Sequence, residues 1–149
     1  MRRFGEQRKP GITYIRRPGA YAIIPDGPDL LLTLQDADDL ELQLPGGGID
    51  PGETPVRALH REVFEETGHH ITNVRRLGVY QRYNFMPEYD LWAHKICHIY
   101  TCTPTLHISE PPEPEHSVVW MDPRSALGML ANDGDRHFLR QWSGLSASF

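Results

Sequence analysis

The sequence predicts a mixed α/β fold built in layers. Short apolar segments with the two-residue repeat of strands alternate with turns rich in glycine and proline. Two segments carry a helix-start signal, a capping residue followed directly by proline, at Thr54-Pro55 and at Asp122-Pro123. No repeat or linker divides the 149 residues. We therefore expect a flexible basic arm over residues 1–11 and a single domain over residues 12–149.

Extended segments dominate the first third of the chain. Residues 25–28, Pro-Asp-Gly-Pro, are a strong turn signal, so the strands on either side are expected to form a hairpin. The last extended segment alternates apolar and polar residues up to Pro45, and the three glycines that follow are expected to end regular structure. The predicted extended segments are residues 12–15, 19–24, 30–34 and 40–44.

Three helices and a long hairpin are predicted for the rest of the chain. Thr54 suits the N-cap of the first helix, Pro55 its first position, and Gly68 a left-handed end. Segments rich in β-branched and aromatic residues flank a turn at residues 86–90, which predicts the hairpin. The predicted elements are helices at residues 54–67, 122–130 and 135–142, hairpin strands at 74–84 and 91–103, a loop at 104–115 and a strand at 117–121.

The charge distribution argues against a protein that binds nucleic acid along its backbone. The net charge is −5, but six basic residues against one acidic residue within residues 1–17 give +5 and leave −10 for the rest. An acidic body of this kind suits cations better than a phosphate backbone. The sequence shows neither a membrane-spanning apolar segment nor a secretory signal, and Cys97 and Cys102 are too few for a disulfide framework. We expect a cytoplasmic protein with reduced thiols and no membrane partner.

The acidic residues cluster on the first predicted helix. Glu62, Glu65 and Glu66 fall within an arc of roughly 100° on its surface, with Glu53 just ahead of it. Carboxylates this close repel one another unless a cation lies among them, and Arg61 is placed to orient one of them. The alternative is a merely solvated acidic face, which is the commoner fate of a charge run. The apolar stripe expected to face the sheet is formed by Val56, Leu59 and Val63.

The residue types in this cluster suggest phosphate chemistry. Carboxylate oxygens select Mg²⁺ or Mn²⁺, which commonly bridge protein carboxylates and substrate phosphates. The glycines at residues 46–48 let the backbone approach the same place, where it can offer a carbonyl to a metal and amides to a phosphate. Together these features suggest metal-assisted attack of water on a phosphoanhydride, with a carboxylate accepting the proton.

The spacing of the cluster resembles the Nudix box, the signature of the Nudix hydrolase family. That signature is Gly-x5-Glu-x7-Arg-Glu-U-x-Glu-Glu-x-Gly-U, where U is a bulky aliphatic residue, and eight of its nine specified positions match between Gly47 and Gly68. The departure is His69, where the family usually has an aliphatic residue that packs behind the helix. Ile71, two residues later, is expected to take over that packing.

The resemblance implies an α/β/α sandwich with a mixed central sheet, and hydrolysis of a nucleoside diphosphate linked to another moiety. Glu62, Glu65 and Glu66 would be the metal ligands for Mg²⁺, with Mn²⁺ as an alternative, and Glu62 would also be a candidate base. Arg61 would orient these carboxylates, and Glu53 would support the loop or an outer metal.

Two further contributions to the site are implied by the resemblance. The carbonyl of Gly46 or Gly47 would be an additional ligand. Many family members also use an acidic residue from a late loop as ligand or base, and Glu113 and Glu115 lie in the corresponding region. Glu115 is preferred because it borders the predicted strand at residues 117–121.

The choice of substrate is less marked in the sequence. A small-molecule nucleotide, either a (deoxy)nucleoside triphosphate or a nucleotide sugar, is favoured. Removal of pyrophosphate from an RNA 5′ end is an alternative that the basic arm supports, and a non-catalytic nucleotide-binding regulator of the same fold is another. Family members are often dimers, so a homodimer is also considered.

Several residues outside the box have two interpretations. Arg16 and Arg17 either reach a substrate phosphate or border the first strand, and the second is favoured. Four aromatic residues either stack on a base or pack in the core and hairpin, and packing is favoured. These residues are Tyr21, Tyr83, Phe85 and Trp92.

Overall fold

Nine strands and three helices are found in the part of the chain that the structure, a computed structural model, describes: residues 1–35, 40–107 and 116–145. The strands are β1 (Arg2–Arg3), β2 (Ile15–Ile23), β3 (Pro25–Asp26), β4 (Asp29–Gln35), β5 (Glu41–Gln43), β6 (Gly46–Gly48), β7 (His69–Met86), β8 (Leu91–His107) and β9 (His116–Met121). The helices are α1 (Pro55–Thr67), α2 (Pro123–Met129) and α3 (Asp133–Ser143), with one turn of 3₁₀ helix at Pro87–Tyr89. The long hairpin is confirmed as β7 and β8. The predicted loop at 104–115 was wrong at its start, because residues 104–107 continue β8, and residues 108–115 lie outside the described residues.

Two sheets form the centre of the molecule. The larger has the strand order β1-β7-β8-β2-β6 and is mixed, because β2 runs parallel to β8 while β7 and β6 are antiparallel to their neighbours β8 and β2. In the smaller sheet, β4 pairs antiparallel with β3, β5 and β9. The prediction of a mixed α/β fold with a mixed central sheet is therefore confirmed.

The apolar side chains of β2 alternate between two cores. Ala22 packs in a core with residues of α1, and Ile23 packs in a second core with residues of α2 and α3. Successive side chains of a strand point to opposite faces of the sheet, so α1 covers one face while α2 and α3 cover the other. The buried cysteines follow the same division, as their five-residue spacing predicts, with Cys97 in the α3 core and Cys102 in the α1 core.

Helix α1 begins and ends where the sequence predicts. The Thr54 hydroxyl accepts a hydrogen bond from the backbone N–H of Arg57 at 3.2 Å, and Pro55 occupies the first turn. Gly68 ends the helix with a φ of 73° and donates its N–H to the carbonyl of Phe64 at 2.8 Å. Glycine is needed there because a side chain disfavours this left-handed conformation.

The apolar stripe of α1 differs from the prediction at its start. Leu59 and Val63 are fully buried, but Val56 is 38% exposed, so its expected place against the sheet was wrong. Val56 lies in the first turn, ahead of Ala58, which is the first buried residue of the helix. Ile71 is 5% exposed and packs in the α1 core. This confirms that Ile71 takes over the packing of the aliphatic residue that the family usually has at the position of His69.

The glycines at residues 46–48 continue regular structure, which corrects the prediction that they end it. They form β6, an edge strand paired antiparallel with β2, and Gly47 lies opposite Ala20. The two backbones come so close that a Cβ at Gly46 would overlap the carbonyl oxygen of Ala20. Because Gly46 also has a φ of 142°, only glycine suits this position.

The hairpin around residues 25–28 is shorter than predicted. Only Pro25–Asp26 pairs with β4 in a regular ladder, because β2 stays in the larger sheet. The chain crosses from one sheet to the other at Ile24, whose carbonyl still accepts the N–H of Leu31 at 2.9 Å. The turn signal was therefore correct, but the expected partner strand was wrong.

Part of the basic N-terminal segment joins the larger sheet as an edge strand, β1. β1 runs parallel to β7, and Phe4 donates its N–H to the carbonyl of Gln81 at 3.0 Å while packing edge-on against Tyr80. Mobility of residues 1–11 in solution stays a prediction, as does the extent of the domain. Within the described residues, no helix has both the length and the apolar character that crossing a membrane requires.

The substitution Gly46→Ala should lower the free energy of unfolding by about 2 kcal/mol or more. The new Cβ would overlap the backbone of β2, and the alanine would have to adopt an unfavourable φ. Gly48→Ala is the matched control, since no atom lies within 4 Å of its Cβ position. It should change stability by less than about 1 kcal/mol. Urea unfolding followed by circular dichroism measures both variants, and equal losses would contradict the close pairing of β6 with β2.

Candidate active site

Arg61 lies at the centre of the acidic cluster. Its Nε and Nη2 atoms donate to the two carboxylate oxygens of Glu53, each at 2.8 Å, in a bidentate pair. Its Nη1 atom donates to Glu62 at 2.9 Å and to Glu65 at 3.3 Å. One guanidinium group therefore joins the loop before α1 to two carboxylates on α1 itself.

The same guanidinium also holds the glycine strand and the loop that follows it. Nη2 donates to the carbonyl oxygen of Gly48 at 3.0 Å and lies 3.4 Å from the Asp50 carboxylate. Glu53 accepts a further hydrogen bond from the backbone N–H of Asp50 at 2.8 Å. The connection from β6 to α1 is thus closed by Arg61 together with Glu53.

This pairing changes the proton affinity of both partners. Hydrogen bonds from Arg61 lower the pKa of Glu53 from 4.5 to about 2, and the bond from the Asp50 N–H acts in the same direction. The bond to Glu53 raises the pKa of Arg61 above its ordinary value, although partial burial opposes this. Glu53 therefore stays ionised at neutral pH and is better suited to fixing Arg61 than to accepting a proton.

The backbone of β6 lies directly against two other carboxylates. Glu66 is only 4% exposed and accepts the N–H of Gly46 at 2.7 Å. The carboxylate of Glu62 lies so near Gly47 that a Cβ there would overlap it. The absence of a side chain at Gly47 therefore makes room for the Glu62 carboxylate.

These groups line a cleft of about 510 Å³ that also receives residues from the larger sheet. Strand β6 and helix α1 supply carboxylates and peptide groups, whereas β2, β7 and β8 supply positive charges. Tyr21 of β2 contributes an aromatic ring. The acidic wall is defined as Gly46–Gly48, Glu62 and Glu66, and the basic wall as Arg17, Arg82 and Lys95.

The oxygen atoms of the acidic wall are of the type that suits a hard divalent cation. Carboxylate and backbone carbonyl oxygens are the ligands that Mg²⁺ prefers. In the described part of the chain, no three His, Cys, Asp or Glu side chains are arranged to hold a metal ion. Arg61 contributes to this result, because its Nη1 atom is hydrogen-bonded to both Glu62 and Glu65 and holds these two carboxylates on the guanidinium group.

A buried pair in the lining of the cleft was missed from the sequence. Asp135, on α3, is 5% exposed and accepts a hydrogen bond from the Tyr80 hydroxyl at 2.9 Å. Burial raises the pKa of Asp135, although the bond from Tyr80 and the charges of Arg82 and Lys95 oppose this. Burial also raises the pKa of Tyr80. From the sequence alone, Asp135 is an ordinary acidic residue in the first turn of a predicted helix, and nothing marks it as buried.

The other aromatic candidates pack within the hairpin. The ring of Tyr83 stacks on His94 with centroids 4.6 Å apart, and Phe85 contacts Trp92 with centroids 5.2 Å apart. Tyr21 alone among the four lines the cleft. Two predicted site residues lie outside the part of the chain that the structure describes, Glu113 and Glu115.

Comparison with known proteins gives a match over most of the chain. A model of the NUDIX domain matches residues 15–142. The "Putative 8-oxo-dGTP diphosphatase" of Bacillus subtilis (strain 168) is 38% identical over 78 residues, which are 52% of this chain and 52% of that protein. The RNA pyrophosphohydrolase of Helicobacter pylori (strain G27) is 49% identical over 57 residues, which are 35% of this chain and 37% of that protein. The chain therefore spans about half or less of the length of these curated relatives.

Solved structures share the fold over most of their length. A NUDIX hydrolase from Nitrosomonas europaea superposes with a TM-score of 0.71 at 18% identity, over 87% of this chain and 90% of that chain. The E. coli ORF135 protein superposes with a TM-score of 0.64 at 26% identity, over 91% of this chain and 94% of that chain. The arrangement of sheets and helices is therefore common to these proteins.

The Glu53–Arg61 pair should make stability depend on pH. Because the pKa of Glu53 falls from 4.5 to about 2 on folding, its contribution is fully present above pH 4.5 and is lost as the pH falls towards 2. Glu53→Gln should therefore flatten the decline of unfolding free energy between about pH 5 and about pH 2, measured by urea unfolding. Arg61→Gln should flatten it similarly, since it removes the partner. An unchanged decline in Glu53→Gln would contradict this assignment.

Proposed function

The chain belongs to the NUDIX family, and we propose that it hydrolyses a phosphoanhydride bond in a nucleoside diphosphate linked to another moiety. The observation that carries this proposal is the cluster around Arg61. One guanidinium group contacts Glu53, Glu62 and Glu65, three of the four acidic residues of the family signature, beside a cleft large enough for a ligand. A solvated acidic helix face would not need this cross-linking.

Magnesium is the cofactor that these groups suit best, with manganese as an alternative. Glu62, Glu65 and Glu66 would hold the cation together with a carbonyl oxygen of Gly46 or Gly47. The chemistry that a bound divalent cation supplies is neutralisation of phosphate charge and a lower pKa for coordinated water. The support for this choice is the oxygen-only character of the acidic wall.

The chain's own residues would position the groups and accept the proton. Glu62 is the candidate base, because its carboxylate reaches the cleft beside Gly47. It would take a proton from the water whose oxygen attacks phosphorus as the bond to the leaving phosphate breaks. The 2.9 Å bond from Arg61 would orient Glu62. Glu115 is a second candidate for the base from the late loop.

Glu66 would have a different task from Glu62. It is buried and bound to the N–H of Gly46, so it ties β6 to α1. Glu65 would complete the acidic set through its contact with Arg61. Loss of any one of these carboxylates should therefore affect the position of the others, and their effects on turnover should not be additive.

The substrate that we propose is a small nucleotide, either a (deoxy)nucleoside triphosphate or a nucleotide sugar. The name of the Bacillus subtilis relative supports a deoxynucleoside triphosphate. Tyr21 is placed in the cleft lining, where an aromatic ring can stack on a base. The name of the Helicobacter pylori relative favours a second candidate, an RNA 5′ end. A non-catalytic regulator would bind nucleotide without hydrolysing it.

A cytoplasmic location and a homodimer remain proposals alongside this activity. The two free cysteines are buried, which is compatible with a reducing compartment. Sedimentation at several protein concentrations would measure the oligomeric state.

Turnover should require both Mg²⁺ and the acidic wall. Release of phosphate and pyrophosphate is measured with nucleoside triphosphates, a nucleotide sugar and a 5′-triphosphate RNA, with Mg²⁺ and then with EDTA. Glu66→Gln should lower kcat on the preferred substrate by about 100-fold or more, because one of the proposed ligands of the cation loses its charge. Glu6→Gln, which alters an exposed carboxylate near the N-terminus, should leave kcat unchanged.

The substrate panel distinguishes the proposed hydrolase from its two alternatives. Absence of Mg²⁺-dependent turnover on every substrate, or equal turnover by Glu66→Gln, would contradict the proposed activity. Turnover of RNA alone would select the second candidate, and tight nucleotide binding without turnover would select the regulator.

Gly47→Ala should reduce turnover without unfolding the protein. The three atoms nearest to its Cβ would all belong to the far end of the Glu62 side chain, which can turn away. The free energy of unfolding should fall by less than about 1 kcal/mol, while kcat should fall by about 100-fold because the carboxylate is displaced. Gly128→Ala on α2 serves as the control in calorimetry and turnover assays, since it lies outside the cleft lining and no atom lies within 4 Å of its Cβ position. Full activity of Gly47→Ala would remove Glu62 from the proposed role.

A further inference from the structure

The basic wall is a single row across three neighbouring strands. Lys95 of β8 is in register with Arg17 of β2 on one side and with Arg82 of β7 on the other. Side chains in register on adjacent strands share a face of the sheet, so the three cations are neighbours. The residues before Arg17 and Lys95, Arg16 and His94, form the corresponding pair on the opposite face.

All three side chains belong to the lining of the cleft. From the sequence, Arg17 was expected either to reach a substrate phosphate or to border the first strand, and the second interpretation was favoured. It instead lies over the ring of Tyr89, with its Cζ atom 4.7 Å from the ring centroid. Lys95 lies over Tyr21, with its Nζ atom 5.9 Å from the ring centroid. These aromatic contacts hold the cations in place but leave their charge unneutralised.

No carboxylate neutralises this row among the residues that the structure describes. The ion pairs formed there do not include Arg17, Arg82 or Lys95. Asp135 is near enough for its pKa to be affected by Arg82 and Lys95, but it is buried and already accepts a bond from Tyr80. The other carboxylates of the lining outside the acidic wall, Glu41 and Glu88, are exposed.

Such a row is unfavourable for the protein alone. Like charges directly opposite one another on adjacent strands destabilise a sheet, and all three residues are partly withdrawn from water. An anion bound between them would reverse the sign of this interaction. Guanidinium and ammonium groups in one row match the oxygens of a phosphate, which accept several charge-assisted hydrogen bonds.

We propose that the basic wall is a second phosphate subsite, which binds a phosphate group of the substrate beyond the diphosphate at the acidic wall. This inference rests on the proposed function, because both walls line one cleft and would hold one ligand. The substrate class is thereby narrowed to nucleotides that carry an additional phosphate. That phosphate belongs to a longer polyphosphate chain, to a phosphorylated sugar or to a following phosphodiester, which share the same chemistry.

Binding of inorganic tripolyphosphate in EDTA isolates this subsite. Without a divalent cation, the carboxylates of the acidic wall repel phosphate, so the remaining affinity comes from the basic wall. Calorimetric titration at low salt should show binding by the wild type that weakens as salt is added. Arg82→Gln and Lys95→Gln should each weaken it by about tenfold, as loss of a charge-assisted hydrogen bond implies.

Matched variants separate charge at this row from charge in general. Arg16→Gln changes the neighbouring residue on the opposite face and should bind tripolyphosphate like the wild type. Lys95→Arg should keep most of the affinity because it keeps the positive charge. No binding by the wild type, or equal binding by Lys95→Gln and the wild type, would overturn the proposal.

Nucleotide probes then identify the source of the phosphate. In EDTA, the affinity for adenosine 5′-monophosphate is compared with those for adenosine 5′-tetraphosphate, adenosine 3′,5′-bisphosphate and a 5′-phosphorylated dinucleotide. At least one of the three should bind about tenfold tighter than the monophosphate, and Lys95→Gln should abolish that gain. A gain that Lys95→Gln retains, or no gain with any probe, would contradict the subsite.

The two proposals fail in different ways. If the hydrolase activity is wrong, Mg²⁺-dependent turnover is absent while tripolyphosphate still binds in EDTA. If the subsite is wrong, turnover persists while binding in EDTA is absent or unaffected by Lys95→Gln.

Discussion

The site depends on the bidentate pairing of Arg61 with Glu53. This pair joins the loop after β6 to α1, and the remaining donors of the same guanidinium reach Gly48, Glu62 and Glu65. A planar, permanently charged group with five donors can make these contacts at once, whereas the single ammonium of lysine cannot. Several carboxylates can therefore lie close together on one helix before any ligand arrives. The cost of their mutual repulsion is offset within the protein.

Charge is divided across the cleft rather than spread over the molecule. The acidic wall offers oxygen atoms to a cation, and the basic wall offers donors to an anion. A nucleotide with its divalent cation carries both kinds of charge, so a two-walled cleft can recognise each part separately. The net charge of −5 conceals this division, because it sums groups of opposite sign that line two walls of one cleft.

The sequence was most informative where structure depends on local spacing. The caps of α1, the hairpin of β7 and β8, and the closeness of Glu62 to Arg61 follow from neighbours along the chain. The strand formed by the glycines, the exposure of Val56 and the buried Asp135 depend on tertiary pairing instead. The row of the basic wall depends partly on local spacing and partly on tertiary pairing. The turn at residues 87–90 fixes Arg82 opposite Lys95, but only the parallel pairing of β2 with β8 adds Arg17.

We propose that Arg61 and Glu53 act as one unit in positioning the acidic wall for catalysis. A double-mutant cycle on Mg²⁺-dependent kcat tests it most directly, using Arg61→Gln, Glu53→Gln and the double variant. The double variant should be no slower than Arg61→Gln alone, because Glu53 works through the guanidinium. Losses that simply add would contradict it, since they would mean that the two residues support turnover independently.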